Sequence, residues 1–348
     1  MQLTLCALIF LGEIVSIKLV IASLMIIVTG ASFSVVADSQ KLYGRVWLAL
    51  NNSDNGLVSN RKENGTGIES YSSFIGFKGN SEISEELKLI YKIEITNTGG
   101  FYESSKLFSA KNNYLGFESR HGSLTIGRND SVFKSTEGKV DLFNITSSDM
   151  SKMLPGNERL YDVATLYTKS IHGFKIGVTY QLDSKYDGND LGYAIHFGDS
   201  KLRTSNHYVA IGYADGLNGL EAQRVTYSTK ALNFRVGLIY QHSKSTHFDS
   251  LKGNSYLISV AYPLLEGEIL AQYAKDDSGL GTIASQITSK KTIQDYDGYL
   301  VTIGYTHFLN KSTAVNGYFS YTDNDITYNG EDYSKSDSAV NLSLKYQF

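Results

Sequence analysis

Two stretches near the end of the sequence decide the fold: residues 299–321, YLVTIGYTHFLNKSTAVNGYFSY, and residues 340–348, VNLSLKYQF. Along both, every second residue is mostly Tyr, Val, Ile, Leu or Phe, and the intervening residues are mostly small or polar. Successive side chains of a β-strand point to opposite faces of the sheet. The alternation therefore predicts strands that have one apolar face and one polar face.

The same alternation recurs along most of the chain, in segments of about nine residues that end in clusters of turn-forming residues. It predicts sixteen strands, at 41–51, 69–78, 86–96, 112–119, 122–128, 160–168, 173–182, 190–198, 206–214, 221–229, 233–242, 255–263, 267–275, 298–309, 313–322 and 338–348. An even number of antiparallel strands is what a closed single-chain barrel requires. Short turns alternate with mostly long loops that are rich in Asn, Asp, Ser and Gly, at 52–68, 97–111, 129–159, 243–254, 276–297 and 323–337.

A soluble β-sandwich would also bury one face of each strand, so alternation alone leaves that fold open. Three features favour a membrane. Tyr and Phe recur at the ends of the apolar faces, those faces carry almost no charge, and tilted strands of this length span about 25–30 Å. We therefore predict an all-β fold, a transmembrane antiparallel β-barrel of about 16 strands in the bacterial outer membrane. Such a barrel is too wide for side chains to fill its lumen, which holds water.

The N-terminal part of the sequence predicts an export signal. From Lys18 the chain reads KLVIASLMIIVTGASFSVVA, a positive charge followed by an apolar run and small residues at a cleavage position between Ala37 and Asp38. A membrane anchor is the alternative, but the apolar run is shorter than the ~20 residues that a helical span needs. We predict a signal peptide at 1–37, with a mis-called start left open for 1–17, and a barrel domain at 38–348.

Composition and motifs exclude several classes of protein. The only cysteine, Cys6, precedes the predicted cleavage position, so the exported chain has no disulfide, thiolate metal site or cysteine nucleophile. A formal net charge of -3 does not favour nucleic acid as a partner. The seven histidines belong to no His-Glu-x-x-His or nucleophile-elbow motif. We predict no enzyme, no catalytic or metal-binding residue and no cofactor.

Several short stretches carry a family resemblance. KLYGRVWLALN at 41–51, IGFKGNSEI at 75–83 and NYLGFESRHGSLTIGRND at 113–130 occur in this order, and the sequence closes on Tyr346-x-Phe348. Together they resemble the general, non-specific porins of Gram-negative outer membranes over essentially the whole exported chain. The resemblance implies a homotrimer of water-filled channels for passive diffusion of small hydrophilic solutes and ions. It also implies contact with outer-membrane lipid and lipopolysaccharide, and with the barrel-assembly machinery through Tyr346 and Phe348.

The resemblance further implies that the third long loop, residues 129–158, folds into the lumen and opposes its carboxylates to basic residues on the wall. Glu137, Asp141 and Asp130 are the candidate acids. For the wall, the resemblance indicates Arg45 and Arg128. Alternation along the strands points four further cations toward the lumen: Lys88, Lys92, Arg224 and Arg235. Two positions that are often basic in the family are Phe74 and Tyr167 (or Leu166) here, which leaves the charge preference open.

Two other functions remain as alternatives at this stage. A substrate-specific channel would line its path with aromatic side chains, whereas the inward parity here gives mostly Ser, Thr, Gly, Asn and charges. A surface adhesin or receptor would present its loops to a partner, and the acidic residues 323–337 are the candidate for such a loop. The non-specific channel fits the sequence better than either.

Overall fold

A computed structural model describes residues 39–97, 108–182 and 188–348. Within these ranges seventeen strands form one antiparallel sheet, and β1 pairs with β17, so the sheet closes into a barrel. The strands are β1 (Ser39–Ser53), β2 (Gly65–Ser70), β3 (Phe74–Ser84), β4 (Leu87–Asn97), β5 (Phe108–Ser119), β6 (Gly122–Asp130), β7 (Arg159–Thr168), β8 (Phe174–Gln181), β9 (Leu191–Gly198), β10 (His207–Leu217), β11 (Leu220–Ala231), β12 (Phe234–Ser245), β13 (Lys252–Leu264), β14 (Gly267–Asp276), β15 (Ile293–Phe308), β16 (Thr313–Tyr328) and β17 (Glu331–Gln347). The predicted signal peptide lies outside the described residues and stays a prediction.

Two of these strands are halves of one barrel strand. β2 pairs with the second half of β1, from Leu48 to Ser53, and β3 pairs with the first half, from Ser39 to Arg45. Between them the backbone turns at Ser72, whose φ is 51°. The described barrel therefore has sixteen strands, which confirms the number that the alternation predicts.

The two faces of the barrel wall show that its outer surface meets lipid. On β17, Leu342 is 57% exposed, whereas its neighbours Asn341 and Ser343 are 2% and 3% exposed and point inward. Exposed apolar and buried polar side chains are the reverse of what water favours. They suit an outer face that contacts hydrocarbon and a polar lumen. The closed wall also removes the β-sandwich alternative, because the described residues form a single sheet.

One predicted loop is wrong. Residues 323–337 extend β16 and β17, and the connection between these strands is only Asn329 and Gly330. Both residues have positive φ angles, 54° and 81°, as a type I′ hairpin turn requires. The high content of charged and polar residues concealed a hairpin whose Asn-Gly turn is a strong local signal.

The helices of the described chain are short and lie between strands. They are α1 (Val132–Ser135), a 3₁₀ turn (Met150–Lys152) and α2 (Thr282–Ile287). None of them is long and apolar enough to cross a membrane. α1 and the 3₁₀ turn belong to the connection between β6 and β7, which forms the candidate site.

Candidate pore constriction

Residues 131–158, here called the inserted segment, lie against the inward face of the barrel. They make hydrogen bonds to inward side chains of strands spread over more than half of the wall. These bonds are Val132 N to Thr179 Oγ1 (3.0 Å), Ser259 Oγ to Val140 O (2.6 Å), Leu142 N to Gln272 Oε1 (2.9 Å) and Ser148 Oγ to Ser320 Oγ (2.6 Å). The partners belong to β8, β13, β14 and β16. The segment thus lies along the wall from β8 to β16, and it reaches further at Ser147, whose Oγ lies 3.1 Å from the hydroxyl of Tyr71 between β2 and β3.

Apolar side chains explain why the segment lies there. Phe143 packs its ring against Tyr318 at a centroid distance of 5.4 Å, and Met150 and Leu154 are fully buried with Leu257 and Leu300 of the wall. Each such side chain removed from water stabilises the arrangement by roughly 1.5–3 kcal/mol. The segment is therefore a packed part of the barrel interior.

Asp141 holds the inserted segment together instead of facing the lumen. Its carboxylate is 7% exposed and accepts hydrogen bonds from Phe143 N (3.0 Å), Met150 N (3.0 Å) and Gln272 Nε2 (3.1 Å). Burial, and next the charge of Asp149, raise the pKa of Asp141 well above its usual range. The geometry does not support the predicted role of Asp141 as an open constriction charge.

The other two candidate acids differ from Asp141 and from each other. Glu137 is partly exposed, and its Oε1 lies 3.5 Å from Asn144 Nδ2. Burial raises the pKa of Glu137, and the charge of Asp149 acts in the same direction. Asp130 ends β6 and forms an ion pair with Arg159 at 3.4 Å. Of the three, Glu137 is the acid of the inserted segment that stays partly exposed.

Basic side chains gather on the side of the wall that carries β1. They extend from β17 through β1 to β7 and are close enough to interact electrostatically. We call these residues the basic wall: Arg45, Lys92, Lys111, Arg159 and Lys345. Lys139 of the inserted segment is exposed and interacts electrostatically with Lys345. Lys92 and Arg159 are each about one quarter exposed, so solutes in the lumen can reach them. Arg45 and Lys111 are 7% and 8% exposed, so they act on the lumen through their charge and not by contact.

Aromatic rings hold the basic wall in place. The Arg45 guanidinium lies between Trp47 and Phe74, 5.2 and 5.4 Å from the ring centroids, and donates to Ser72 O at 3.0 Å. Lys111 Nζ lies 3.7 Å from the Phe74 centroid. Cations over aromatic faces gain about 0.5–2 kcal/mol. The aromatic Phe74, which departs from the family pattern, thus supports two cations.

A carboxylate lies within this cationic group. Glu94 is almost fully buried, accepts a hydrogen bond from the Tyr43 hydroxyl at 2.8 Å and pairs with Lys92 at 3.2 Å. Together with Asp130, it offsets two of the five positive charges. The basic wall keeps a net positive charge.

Of the remaining predicted wall residues, Lys88 and Arg235 lie outside this group, and Arg128 is close enough to interact electrostatically with Arg159. Lys88 pairs with Glu82 at 2.9 Å and Arg235 with Glu268 at 3.2 Å, both near strand ends. Arg128 lies at a register shift in β6 and stacks on the exposed Tyr161, 3.8 Å from its centroid.

Arg224 is fully buried and contacts the inserted segment. It donates from Nε to Gln241 Oε1 at 2.6 Å and from Nη2 to Pro155 O and Asn157 Oδ1 at 3.1 Å each. The segment therefore separates Arg224 from the passage, and the geometry does not support an open wall charge.

Sequence reasoning missed Lys111 and Arg159, because both were assigned to loops. β5 begins at Phe108 and β7 at Arg159, so both cations belong to strands. Both residues lie in the polar ends of these strands, and a strand prediction that included those ends would identify Lys111 and Arg159.

Tyr346 and Phe348 lie at the barrel seam and not at the constriction. Their side chains are about half exposed on the outer face, and their ring centroids are 6.0 Å apart. Phe348 exchanges two backbone hydrogen bonds with Gly44 of β1, at 3.0 and 3.1 Å. Their predicted role as an assembly signal stays a prediction.

Among the described residues, no group of three or more His, Cys, Asp or Glu side chains could hold a metal ion.

His196 is buried, with Nδ1 2.8 Å from the Tyr208 hydroxyl and Nε2 3.4 Å from Ser135 Oγ. This arrangement ties the inserted segment to β9 and β10.

Comparison with known proteins identifies the family. A model of the Gram-negative porin family matches residues 22–327. The chain belongs to the Gram-negative porin family. With its closed barrel and apolar outer face, this porin is a protein of the bacterial outer membrane. It is 26% identical over 153 residues to the major outer membrane protein P.IB of Neisseria sicca, a match that covers 42% of the chain and 41% of that relative.

Solved porin structures share the fold at low identity. The porin is similar to the anion-selective porin from Comamonas acidovorans, with a TM-score of 0.64 and 18% identity over 89% of this chain and 99% of that one. It is also similar to the trimer form of OmpT from Vibrio cholerae, with a TM-score of 0.65 and 15% identity over 90% and 100% of the two chains.

Proposed function

We propose that the protein is a water-filled channel that passes small hydrophilic solutes and ions across the outer membrane by diffusion. One observation carries the proposal: the inserted segment packs mainly against the wall from β8 to β16, and the basic wall extends from β17 through β1 to β7. The passage runs between the two, and its width is set by the inserted segment. Membership of the porin family supports the same function.

We further propose that this channel prefers anions. The five cations of the basic wall outnumber Glu94 and Asp130, and Lys139 adds a positive charge from the inserted segment. Asp141 is engaged in backbone hydrogen bonds, so it adds little field to the passage. A cluster of one charge sign in a narrow, low-dielectric pore raises the local concentration of counter-ions.

The alternatives are less well supported. A substrate-specific channel would expose a row of aromatic rings to solutes. Here cations lie over the rings of Trp47 and Phe74, so these rings are not available to solutes. The acidic residues 323–337 form a paired hairpin. We propose that the protein is not an enzyme, since the channel accounts for the arrangement of its buried charges.

We propose a homotrimer as the working assembly. The trimer form of OmpT from Vibrio cholerae has the same fold, and the broad apolar outer face offers a surface for like subunits and for lipid. Planar-bilayer recording of purified protein tests both proposals. Ion conductance that closes in three equal steps is expected, whereas a protein that inserts without conducting would contradict the channel.

The pH dependence of ion preference tests the role of Glu137. Because its pKa is raised, Glu137 takes up a proton at a higher pH than an ordinary Glu does, and the passage becomes more positive as pH falls. We expect the reversal potential in a salt gradient to move toward anions between about pH 7 and about pH 4.5. Glu137→Gln is expected to move the neutral-pH value toward the acid-side value and to reduce the pH dependence, part of which remains because the pKa of Asp141 is raised as well.

The exposed Glu158 provides a matched control for this experiment. Glu158→Gln should keep the pH dependence of the unsubstituted protein. An unchanged pH dependence in Glu137→Gln would show that another group titrates in the passage.

A further inference from the structure

Arg224 contacts both legs of the inserted segment, the outgoing leg that follows β6 and the returning leg that leads to β7. On the outgoing leg its guanidinium carbon lies 4.4 Å from the ring centroid of Phe133. On the returning leg its Nη2 donates to Pro155 O and to Asn157 Oδ1, each at 3.1 Å. The side chain is fully buried. One residue of β11 thus joins the two ends of the segment to the wall.

Neighbouring groups complete the same junction. Gln241 accepts from Arg224 Nε and donates from Nε2 to Pro155 O at 3.0 Å. Lys134 Nζ donates to Asn157 O at 2.6 Å, which ties the outgoing leg to the returning leg. The planar fork of an Arg side chain can hold several acceptors at fixed angles, and a Lys ammonium cannot reproduce that geometry.

Arg224 donates its hydrogen bonds to uncharged acceptors and not to a carboxylate. In the described part of the chain its Nη1 atom is buried without a hydrogen-bond partner, and its acceptors are a carbonyl and two side-chain amides. A buried charge without a hydrogen-bonded carboxylate costs stability. Arg224 therefore contributes to the structure by joining the two legs to the wall.

We propose that Arg224 is the positioning residue of the inserted segment, which it draws onto the wall of β11 and β12 so that the passage stays open. The inference rests on the proposed function, since it assigns a role in setting pore width. Arg224 touches no solute, and its effect on permeation passes through the segment. Without it, the legs leave the wall and move into the passage.

Neutral polymers measure pore width without responding to pore charge, so they separate this role from that of a wall cation. We expect Arg224→Met to lower single-channel conductance, to raise open-channel current noise and to shift polyethylene glycol exclusion toward smaller polymers. Arg235→Met is the matched control, because Arg235 lies on the adjacent strand and pairs with Glu268 away from the segment. The control should leave the exclusion limit unchanged.

Two milder variants serve if Arg224→Met does not assemble. Asn157→Ala and Gln241→Leu each remove one acceptor of Arg224, and each is expected to shift the exclusion limit in the same direction by a smaller step. Their double variant should shift it by less than the sum, because both act through one guanidinium. Arg224→Lys keeps the charge but loses the planar fork. It is expected to show part of the shift in exclusion limit that Arg224→Met shows.

An unchanged or larger exclusion limit in these variants, in a protein that still conducts, would overturn the positioning role and leave the proposed function intact. A reversal potential that shifts toward cations at constant exclusion limit would likewise show that Arg224 acts as a pore charge. Absence of conduction by the unsubstituted protein would overturn the proposed function and the positioning role together.

Discussion

Replacing Arg45, Lys111 and Arg159 together by Gln is expected to abolish the anion preference of the pore. These residues supply three of the five charges of the basic wall, and the three acids Glu94, Asp130 and Glu137 would then face the three cations Lys92, Lys345 and Lys139. A unit charge ~8 Å from the ion path changes the energy of a monovalent ion by about 0.5 kcal/mol in a largely water-filled lumen, with opposite sign for an anion and a cation, so it separates the two by about 1 kcal/mol. Each removal therefore changes the anion-to-cation ratio by roughly fivefold.

The measurement is the reversal potential of single channels in a salt gradient, at low ionic strength where screening is weak. Lys88→Gln with Arg235→Gln is the matched control, because it removes two inward cations that pair with acids near strand ends. The control should leave the sign of the potential unchanged. Equal shifts in both sets of variants would show that the field comes from overall lumen charge and not from the basic wall.

Phe348→Ala is expected to reduce the amount of assembled barrel roughly tenfold while leaving the conductance of the assembled channels unchanged. The Phe348 ring lies over Gly44 of β1, where a Cβ would come within 2.5 Å of its Cζ. It therefore packs across the seam where β1 and β17 close the barrel. Loss of an aromatic contact at this seam, worth about 1–2 kcal/mol, weakens closure without altering the lumen.

Folded barrel in the outer membrane, quantified by its resistance to heat and detergent, is the measurement for this prediction. Phe348→Tyr keeps the ring and should assemble normally. Gly44→Ala places a methyl group against the ring and against Phe74 O at 2.7 Å, so it should impair assembly from the other side of the seam. Normal levels of folded Phe348→Ala would remove the assembly role that the resemblance implies.

The strand pattern could be predicted from sequence because it is local. Alternation with a period of two is imposed on each strand by its two surroundings, lipid and lumen, and it is regular along β9, β11 and β12. The pattern is harder to recognise where the outward face becomes polar. The outer ends of β16 and β17 carry many charged and polar residues, which resemble a loop until the Asn329–Gly330 turn is recognised.

The candidate site was less predictable, since it depends on the path of one irregular segment. Parity shows that Arg224 points inward, but only the position of Pro155 and Asn157 shows that the segment covers it. The same holds for Asp141, whose partner Gln272 is remote in sequence. By contrast, the resemblance and parity both indicated Arg45, which lies in the basic wall.

The reversal potential of the unsubstituted protein, measured on single channels across a salt gradient at neutral pH, tests the account most directly. A passage bounded by the basic wall and by an inserted segment whose Asp141 is withdrawn from the lumen should give a potential on the anion side, which moves further to that side as pH falls. A potential on the cation side at neutral pH would contradict it, because the acids of the inserted segment would then dominate the field in the passage.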